Sequence, residues 1–100
     1  INLAAYTAVD KAESEADAAY ALNAVAPETI ALASAAHGLR LIHVSTDYVF
    51  DGTKHGPYTE DDCVAPLGVY GASKEAGERG VRAATPDHVI LRTAWVVSPW

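Results

Sequence analysis

The hydrophobic positions of this chain alternate between short apolar runs and longer stretches of helical composition. Short apolar runs bounded by polar turns indicate buried strands, whereas stretches rich in alanine and leucine favour helices. The predicted elements, in chain order, are a strand at residues 1–3, a helix at 15–36, a strand at 41–45, a helix at 68–84 and a strand at 88–94. This alternation predicts an α/β fold with a parallel sheet, right-handed crossovers and helices on both faces.

Specific residues mark the ends of the first predicted helix. Ser14 is a candidate N-cap, and Asp17 lies three residues later in a capping-box position. Pro27 is expected to kink or divide the helix near residues 25–26, because proline has no amide hydrogen and clashes with the preceding turn. Gly38 is expected to end it.

Candidate site residues follow each of the three predicted strands. In open parallel sheets, ligands bind beyond the carboxyl ends of the strands. The small-residue turn at 4–7, the pair Thr46 and Asp47, and Trp95 all fall at such positions. Trp95 also fits a core aromatic. The long Gly-, Pro- and Asp-rich connection at 46–67 is of a kind that is usually functional or disordered.

Tyr70 and Lys74 are four residues apart and therefore share one face of the second long helix. A tyrosine phenol, with an ordinary pKa of about 10, is a poor proton-transfer group at neutral pH. A nearby ammonium favours the phenolate and is expected to lower that pKa. The Thr46 hydroxyl can reach the same point and orient a substrate oxygen, which together gives general acid–base catalysis at a carbonyl. The spacing alone equally fits a surface pair on an amphipathic helix.

Composition narrows the class of protein. Half of the 100 residues are hydrophobic, which is typical of a globular chain. The net charge of −6 and the lack of a basic stripe argue against a nucleic-acid partner, and no apolar run is long enough to cross a membrane. The single cysteine, Cys63, cannot form an internal disulfide, which permits a reducing cytoplasm. Two acidic neighbours make a reactive thiol unexpected there, and His43 is expected to be a hydrogen-bonded core histidine.

Four stretches, residues 2–13, 45–52, 70–74 and 92–96, together resemble the dTDP-4-dehydrorhamnose reductases of the extended short-chain dehydrogenase/reductase superfamily. The resemblance covers essentially the whole chain. It implies that residues 1–100 are the central part of a Rossmann-like, doubly wound NAD(P)-binding domain. The glycine-rich turn that binds the dinucleotide phosphates and the C-terminal substrate lobe are then expected outside this segment, which alone is expected to be inactive.

The resemblance implies reduction of dTDP-4-dehydro-L-rhamnose to dTDP-L-rhamnose in the cytoplasm, with hydride from NADPH or NADH. By the same resemblance, Tyr70 is the proton donor, Lys74 holds the nicotinamide ribose, and Thr46 is the third catalytic hydroxyl. The residues implied to bind the cofactor are Ala5, Tyr6, Thr7, Val44, Tyr70 and Lys74. The residues implied to bind the substrate are Val9, Thr46, Asp47 and Trp95.

Further expectations and two alternatives accompany this interpretation. The resemblance leaves room for Mg²⁺ held by residues outside the segment and for a homodimer of the full-length protein. Asp10, Lys11 and Glu13 are expected to form a solvated ion-pair cluster without chemistry. A related nucleotide-sugar epimerase or dehydratase would use the same Tyr/Lys pair. A non-catalytic regulatory subunit of methionine adenosyltransferase is the other alternative.

Overall fold

The computed structural model of the chain describes residues 1–5, 7–54, 56 and 58–93. The alternation of helices and strands confirms the predicted α/β class. In chain order the elements are helix α1 (Val9–Ala12), helix α2 (Ala16–Tyr20), a π-helical segment (Ala21–Val25), helix α3 (Ala26–Ala36), strand β1 (Leu41–Thr46), a 3₁₀ turn (Asp47–Val49), helix α4 (Val69–Ala84) and strand β2 (His88–Thr93).

Strands β1 and β2 are parallel neighbours, as predicted. Leu41 lies opposite His88 at one end of the pairing, and Thr46 lies opposite Thr93 at the other. The carboxyl ends of both strands therefore meet at the same edge of the sheet, and Thr46 lies at that edge.

The predicted first strand is reduced to a single parallel bridge between Asn2 and His43 on the other side of β1. The Asn2 amide donates to the carbonyl of Ile42 at 2.8 Å, and Asn2 accepts from the amide of Val44 at 3.2 Å. Asn2 is buried, but its apolar neighbours Ile1 and Leu3 are exposed. The prediction of parallel pairing with the sheet is therefore confirmed at Asn2. The prediction that the apolar side chains of this strand are buried was wrong.

Helices α3 and α4 pack against each other and both contact β1, so they lie on the same face of the described sheet. The core between them contains Ala31, Leu41 and Val81, with Ala84 and Ile90 packed against it. Helices on both faces were expected, and the described residues do not bear this out. Successive crossovers of one hand that step in one direction put their helices on the same side.

The first helical region starts differently from the prediction but ends as predicted. The Ser14 hydroxyl donates to the carbonyl of Lys11 at 3.0 Å, and the N-cap position before α2 is Glu15, which makes no side-chain cap. The predicted Ser14/Asp17 cap was wrong because α1 ends just before Ser14, and the carbonyl of Lys11 in α1 accepts the hydrogen bond from the Ser14 hydroxyl. Gly38, with φ of 66°, ends α3 as predicted.

The predicted irregularity near Pro27 takes the form of the π-helical segment that directly precedes Ala26 and Pro27. Because proline has no amide hydrogen, it cannot donate to the carbonyl four residues earlier, that of Asn23. Gly77 of α4 packs directly against this carbonyl, and a Cβ at Gly77 would overlap it. The wide turn and the glycine together let α4 approach closely. Within the described ranges, no helix has the length and apolar character needed to span a membrane.

Candidate active site

Helix α4 presents Tyr70 and Lys74 on one face, one turn apart, within its first two turns. Between them, the Ser73 hydroxyl donates to the carbonyl of Tyr70 at 2.8 Å. The same hydroxyl accepts from the side-chain amide of Asn23 at 3.0 Å. Asn23 and Ser73 are both fully buried, so this chain of hydrogen bonds fixes the start of α4 against the π-helical segment.

The Lys74 side chain is buried at 2% exposure, and its ammonium donates to the carbonyl of Val44 at 2.9 Å. This bond joins α4 to β1 just before the strand end. Burial lowers the pKa of Lys74, and the negative charge of Glu78 opposes that effect. The Lys74 side chain is therefore held at the strand edge and is not a mobile surface side chain.

Thr46 ends β1 and begins the 3₁₀ turn. Its hydroxyl oxygen accepts from the amide of Tyr48 at 3.1 Å, which caps the turn. Its hydroxyl lies 3.4 Å from the Asp47 carboxylate, at the long limit for a hydrogen bond. Thr46 is buried at 6% exposure, so the sheet edge holds this hydroxyl in one place.

Tyr70 lies edge-on to Tyr48, with ring centroids 5.5 Å apart and an interplanar angle of 83°. Burial raises the pKa of Tyr70, hydrogen bonding with Thr46 lowers it, and Tyr48 and Asp47 raise it again. The net pKa lies above the ordinary value. The expectation that Lys74 lowers it was wrong here, because burial dominates and the Lys74 ammonium points to a backbone carbonyl.

Two adjoining cavities meet at the Tyr70 side chain. The first, of about 390 Å³, brings together every predicted site residue that the structure describes: it is lined by Ala5, Thr7, Val9, Val44, Thr46, Asp47, Tyr70 and Lys74, with Leu3, Ser45, Tyr48 and Thr93. The second, of about 350 Å³, shares Val9, Asp47, Tyr48 and Tyr70 with it and adds the aromatic rings of Phe50 and Tyr58. Tyr6 and Trp95 lie outside the described residues.

Residues 10–13 do not form the expected ion-pair cluster. Lys11 pairs with Glu15 at 3.7 Å on the surface. The Glu13 carboxylate instead accepts from the amide of Val69 at 3.0 Å, at the first turn of α4. A carboxylate at a helix N-terminus satisfies an orphan donor and interacts favourably with the helix dipole. Glu13 thus links α1 to the helix that carries Tyr70.

His43 is a fully buried core histidine, as expected. Its Nδ1 is 3.2 Å from the side-chain amide nitrogen of Asn2, and its Nε2 has no hydrogen-bond partner among the described residues. The pKa of His43 is lowered to about 4, mainly by burial and also by Lys74, while Glu78 acts in the opposite direction. The described part of the chain contains no cluster of three His, Cys, Asp or Glu side chains placed to hold a metal.

Sequence reasoning missed a buried network directly behind the site. Glu78 is fully buried and binds Ser45 from β1 and Arg92 from β2. Its position four residues after Lys74, on the same helical face, was the one available signal. The partners come from other elements, so local spacing could not reveal them.

The parallel sheet, with a Tyr/Lys pair on the helix that packs against a threonine-bearing strand end, defines a Rossmann-like segment of the short-chain dehydrogenase/reductase type. The chain belongs to the RmlD substrate-binding domain family, whose model matches residues 1–99.

Curated relatives include dTDP-4-dehydrorhamnose reductases of Sinorhizobium fredii, 55% identical over 98 residues, and of Mycobacterium tuberculosis, 57% identical over 100 residues. These matches cover 98% and 96% of this chain, and 33% of each relative. The chain thus spans about a third of the length of these relatives.

Solved structures show the same relationship. A dTDP-4-dehydrorhamnose reductase from Clostridium acetobutylicum is 45% identical, with a TM-score of 0.96 over 99% of this chain and 35% of its own. A second dTDP-4-dehydrorhamnose reductase, from Bacillus anthracis and in complex with NADP, is 46% identical. Its TM-score is 0.91, and the match covers 93% of this chain and 33% of that protein. A dTDP-glucose 4,6-dehydratase from Streptomyces venezuelae is 29% identical. Its TM-score is 0.84, and the match covers 90% of this chain and 30% of that protein. Sequence identity is thus higher to the two reductases than to the dehydratase.

Proposed function

We propose that the full-length protein containing this segment reduces dTDP-4-dehydro-L-rhamnose to dTDP-L-rhamnose with NADPH or NADH. The observation that carries this proposal is the convergence of Thr46, Tyr70 and Lys74 on one cavity at the carboxyl end of a parallel strand. Reductase relatives at 55% and 57% identity support the choice of substrate. The NADP complex of the Bacillus anthracis relative supports the class of cofactor.

The first cavity fits a nicotinamide nucleotide. Ala5 and Val44 contribute small side chains that let a planar ring and a ribose approach the backbone closely. Lys74 supplies a fixed ammonium with further donors for ribose hydroxyls. When bound, a reduced nicotinamide supplies the hydride for the carbonyl carbon.

The chain's own residues handle the proton. Thr46 donates a hydrogen bond that orients the sugar C4 carbonyl, and Tyr70 transfers its phenolic proton to the C4 oxygen as negative charge develops there. The raised pKa of Tyr70 keeps this proton in place at neutral pH. Tyr70 lies between the two cavities, which suits a group that must touch the sugar next to the hydride donor.

The proposal extends to the remaining site residues and to the organisation of the protein. Ala5, Tyr6, Thr7 and Val44 border the dinucleotide, and Val9, Asp47 and Trp95 border the sugar. We propose that residues 1–100 form the central part of the NAD(P)-binding domain of a cytoplasmic, homodimeric reductase. Mg²⁺ stays a prediction about residues outside this segment.

One substrate panel separates this proposal from its alternatives. The purified full-length protein is given NADPH or NADH with dTDP-4-dehydro-L-rhamnose, and separately dTDP-glucose or a UDP-hexose with NAD. The proposal expects oxidation of the reduced cofactor and formation of dTDP-L-rhamnose in the first mixture. Dehydration or epimerisation of dTDP-glucose or the UDP-hexose, without reduction of dTDP-4-dehydro-L-rhamnose, would favour a nucleotide-sugar epimerase or dehydratase. No reduction together with stable co-purification of a methionine adenosyltransferase would favour the regulatory subunit.

A further inference from the structure

Glu78 is a fully buried carboxylate held by three hydrogen-bonding neighbours. The Ser45 hydroxyl donates to Oε2 at 2.6 Å. Arg92 donates to both carboxylate oxygens, at 2.6 Å from Nη2 and 3.0 Å from Nε at the shortest contacts. The exposed Arg82 lies at 3.5 Å on the same helix. A carboxylate with such partners is an organised group and not a chance burial.

The three elements that Glu78 joins are those that build the site. It lies on α4, four residues after Lys74 and eight after Tyr70, on the same face. Ser45 immediately precedes Thr46 on β1, and Arg92 immediately precedes Thr93 on β2. The Thr93 hydroxyl in turn donates to the carbonyl of Ser45 at 3.2 Å. The contacts therefore close a loop of hydrogen bonds behind the catalytic edge.

We propose that Glu78 is a positioning residue of this site. Its carboxylate clamps the Ser45 end of β1 and the Arg92 end of β2 against α4, and so fixes the Thr46 hydroxyl relative to Tyr70 and Lys74. The inference rests on the proposed reductase function for its kinetic consequences, but the clamp itself is a property of the fold. Glu78 touches none of the reacting groups and acts through its neighbours.

The same carboxylate sets the charge around the Lys74 ammonium. Burial lowers the pKa of Lys74, and Glu78 raises it again. Removing the negative charge would leave Lys74 and the Arg92 guanidinium as two cations in one buried region, which would lower the pKa of Lys74 further. Two titratable groups act electrostatically with Lys74, His43 on β1 and Glu78 on α4. Asp47, Tyr48 and Tyr70 line the same cavity as Lys74, and Arg92 on β2 binds Glu78.

The test compares Glu78→Gln with Glu75→Gln in the full-length protein. Glu75 lies on the same helix and pairs with the exposed Arg79 at 2.9 Å. Glu75→Gln is therefore a matched control that removes a nearby negative charge and leaves the bonds of Glu78 to Ser45 and Arg92 in place. We expect Glu78→Gln to lower kcat about tenfold while KM for the sugar nucleotide changes less than about threefold. The loss of activity at alkaline pH should shift to lower pH. Glu75→Gln should leave all three unchanged.

A substrate-free readout separates this inference from the proposed function. The pKa of the Lys74 amine, followed by a nitrogen NMR titration, should be lower in Glu78→Gln than in the wild type or Glu75→Gln. An unchanged amine pKa, or the same decrease in both variants, would overturn the proposed role of Glu78 at Lys74 even if the enzyme is a reductase. If the wild type is inactive as a reductase but Glu78→Gln lowers the pKa of the Lys74 amine as predicted, only the proposed reaction is contradicted.

Two milder variants keep the inference testable if Glu78→Gln does not fold. Glu78→Asp keeps the charge and should recover most of the lost kcat. Ser45→Ala removes one bond to the carboxylate while Arg92 still neutralises it. It should lower kcat about two- to fivefold and should destabilise the protein less than the loss of Arg92 would. Normal kcat in Ser45→Ala, measured at a temperature where the variant is fully folded, would contradict the proposal.

Discussion

Two carboxylate–cation pairs in this molecule have the same closest distance and different surroundings. Glu78 meets Arg92 at 2.6 Å behind the site, and Asp62 meets Lys54 at 2.6 Å in the loop that follows β1. The side chains of the first pair are 0% and 19% exposed, and those of the second are 28% and 38% exposed. The closest distance alone therefore does not distinguish the two pairs.

Burial determines what each pair contributes. Exposed ion pairs are worth about 0–1 kcal/mol because water and salt screen them. A buried pair has lost the hydration of both ions, so removing one partner leaves an uncompensated charge. The region behind the site should therefore be sensitive to single substitutions, and the loop should tolerate them.

The largest effect on stability is expected from Arg92→Gln. This change leaves the buried Glu78 carboxylate without its main partner and should lower the free energy of unfolding by roughly 3–5 kcal/mol. Denaturant unfolding of the full-length protein measures it. Arg40→Gln, which breaks the exposed pair with Asp87, is the control. Equal losses in the two variants would remove the distinction between the regions.

His43 gives the same buried region a pH response. Its folded pKa of about 4 lies below the ordinary 6.5. Between these values the unfolded chain binds more protons, so stability falls as the pH falls through this window, by up to roughly 3 kcal/mol. His43→Gln should flatten that dependence. A wild-type slope that persists in His43→Gln would assign the acid sensitivity to other groups.

The smallest effect is expected from Lys54→Gln in the loop. Asp62 keeps its hydrogen bond from the amide of Thr59 at 2.7 Å and can be solvated when the lysine is lost. The free energy of unfolding should change by about 0–1 kcal/mol, and less at high salt. Unfolding curves at two salt concentrations check this. A loss comparable to that of Arg92→Gln would show that the loop pair is also structural.

Sequence reasoning reached the fold class and the convergence of the site because both follow from local rules. The spacing of Tyr70 and Lys74 needs only a helix, and the approach of Thr46 needs only that parallel strands end at one edge. The Gly38 helix end likewise follows from backbone preference.

The rest depends on contacts between distant residues. The bonds from Lys74 to Val44 and from Ser45 to Glu78 join residues 30 and 33 positions apart. The spacing of residues along the sequence shows which of them share a helix face, but not which other elements bury that face. Because burial is the main cause of the raised pKa of Tyr70, this shift could not be predicted from the sequence. The Ser14 cap failed for a related reason. The predicted elements include no helix before residue 15, but residues 9–12 form α1, and the carbonyl of Lys11 accepts the Ser14 hydroxyl.

The central claim is that Tyr70, held by this buried framework, protonates the substrate oxygen. The most direct measurement is kcat for reduced-nicotinamide oxidation with dTDP-4-dehydro-L-rhamnose in full-length Tyr70→Phe and Tyr48→Phe. Both variants lose one phenolic hydroxyl from the same edge-on pair. The account predicts a loss of at least about a hundredfold for Tyr70→Phe, at an unchanged melting temperature, and near-normal turnover for Tyr48→Phe. Near-normal turnover in Tyr70→Phe, or equal losses in the two variants, would contradict it.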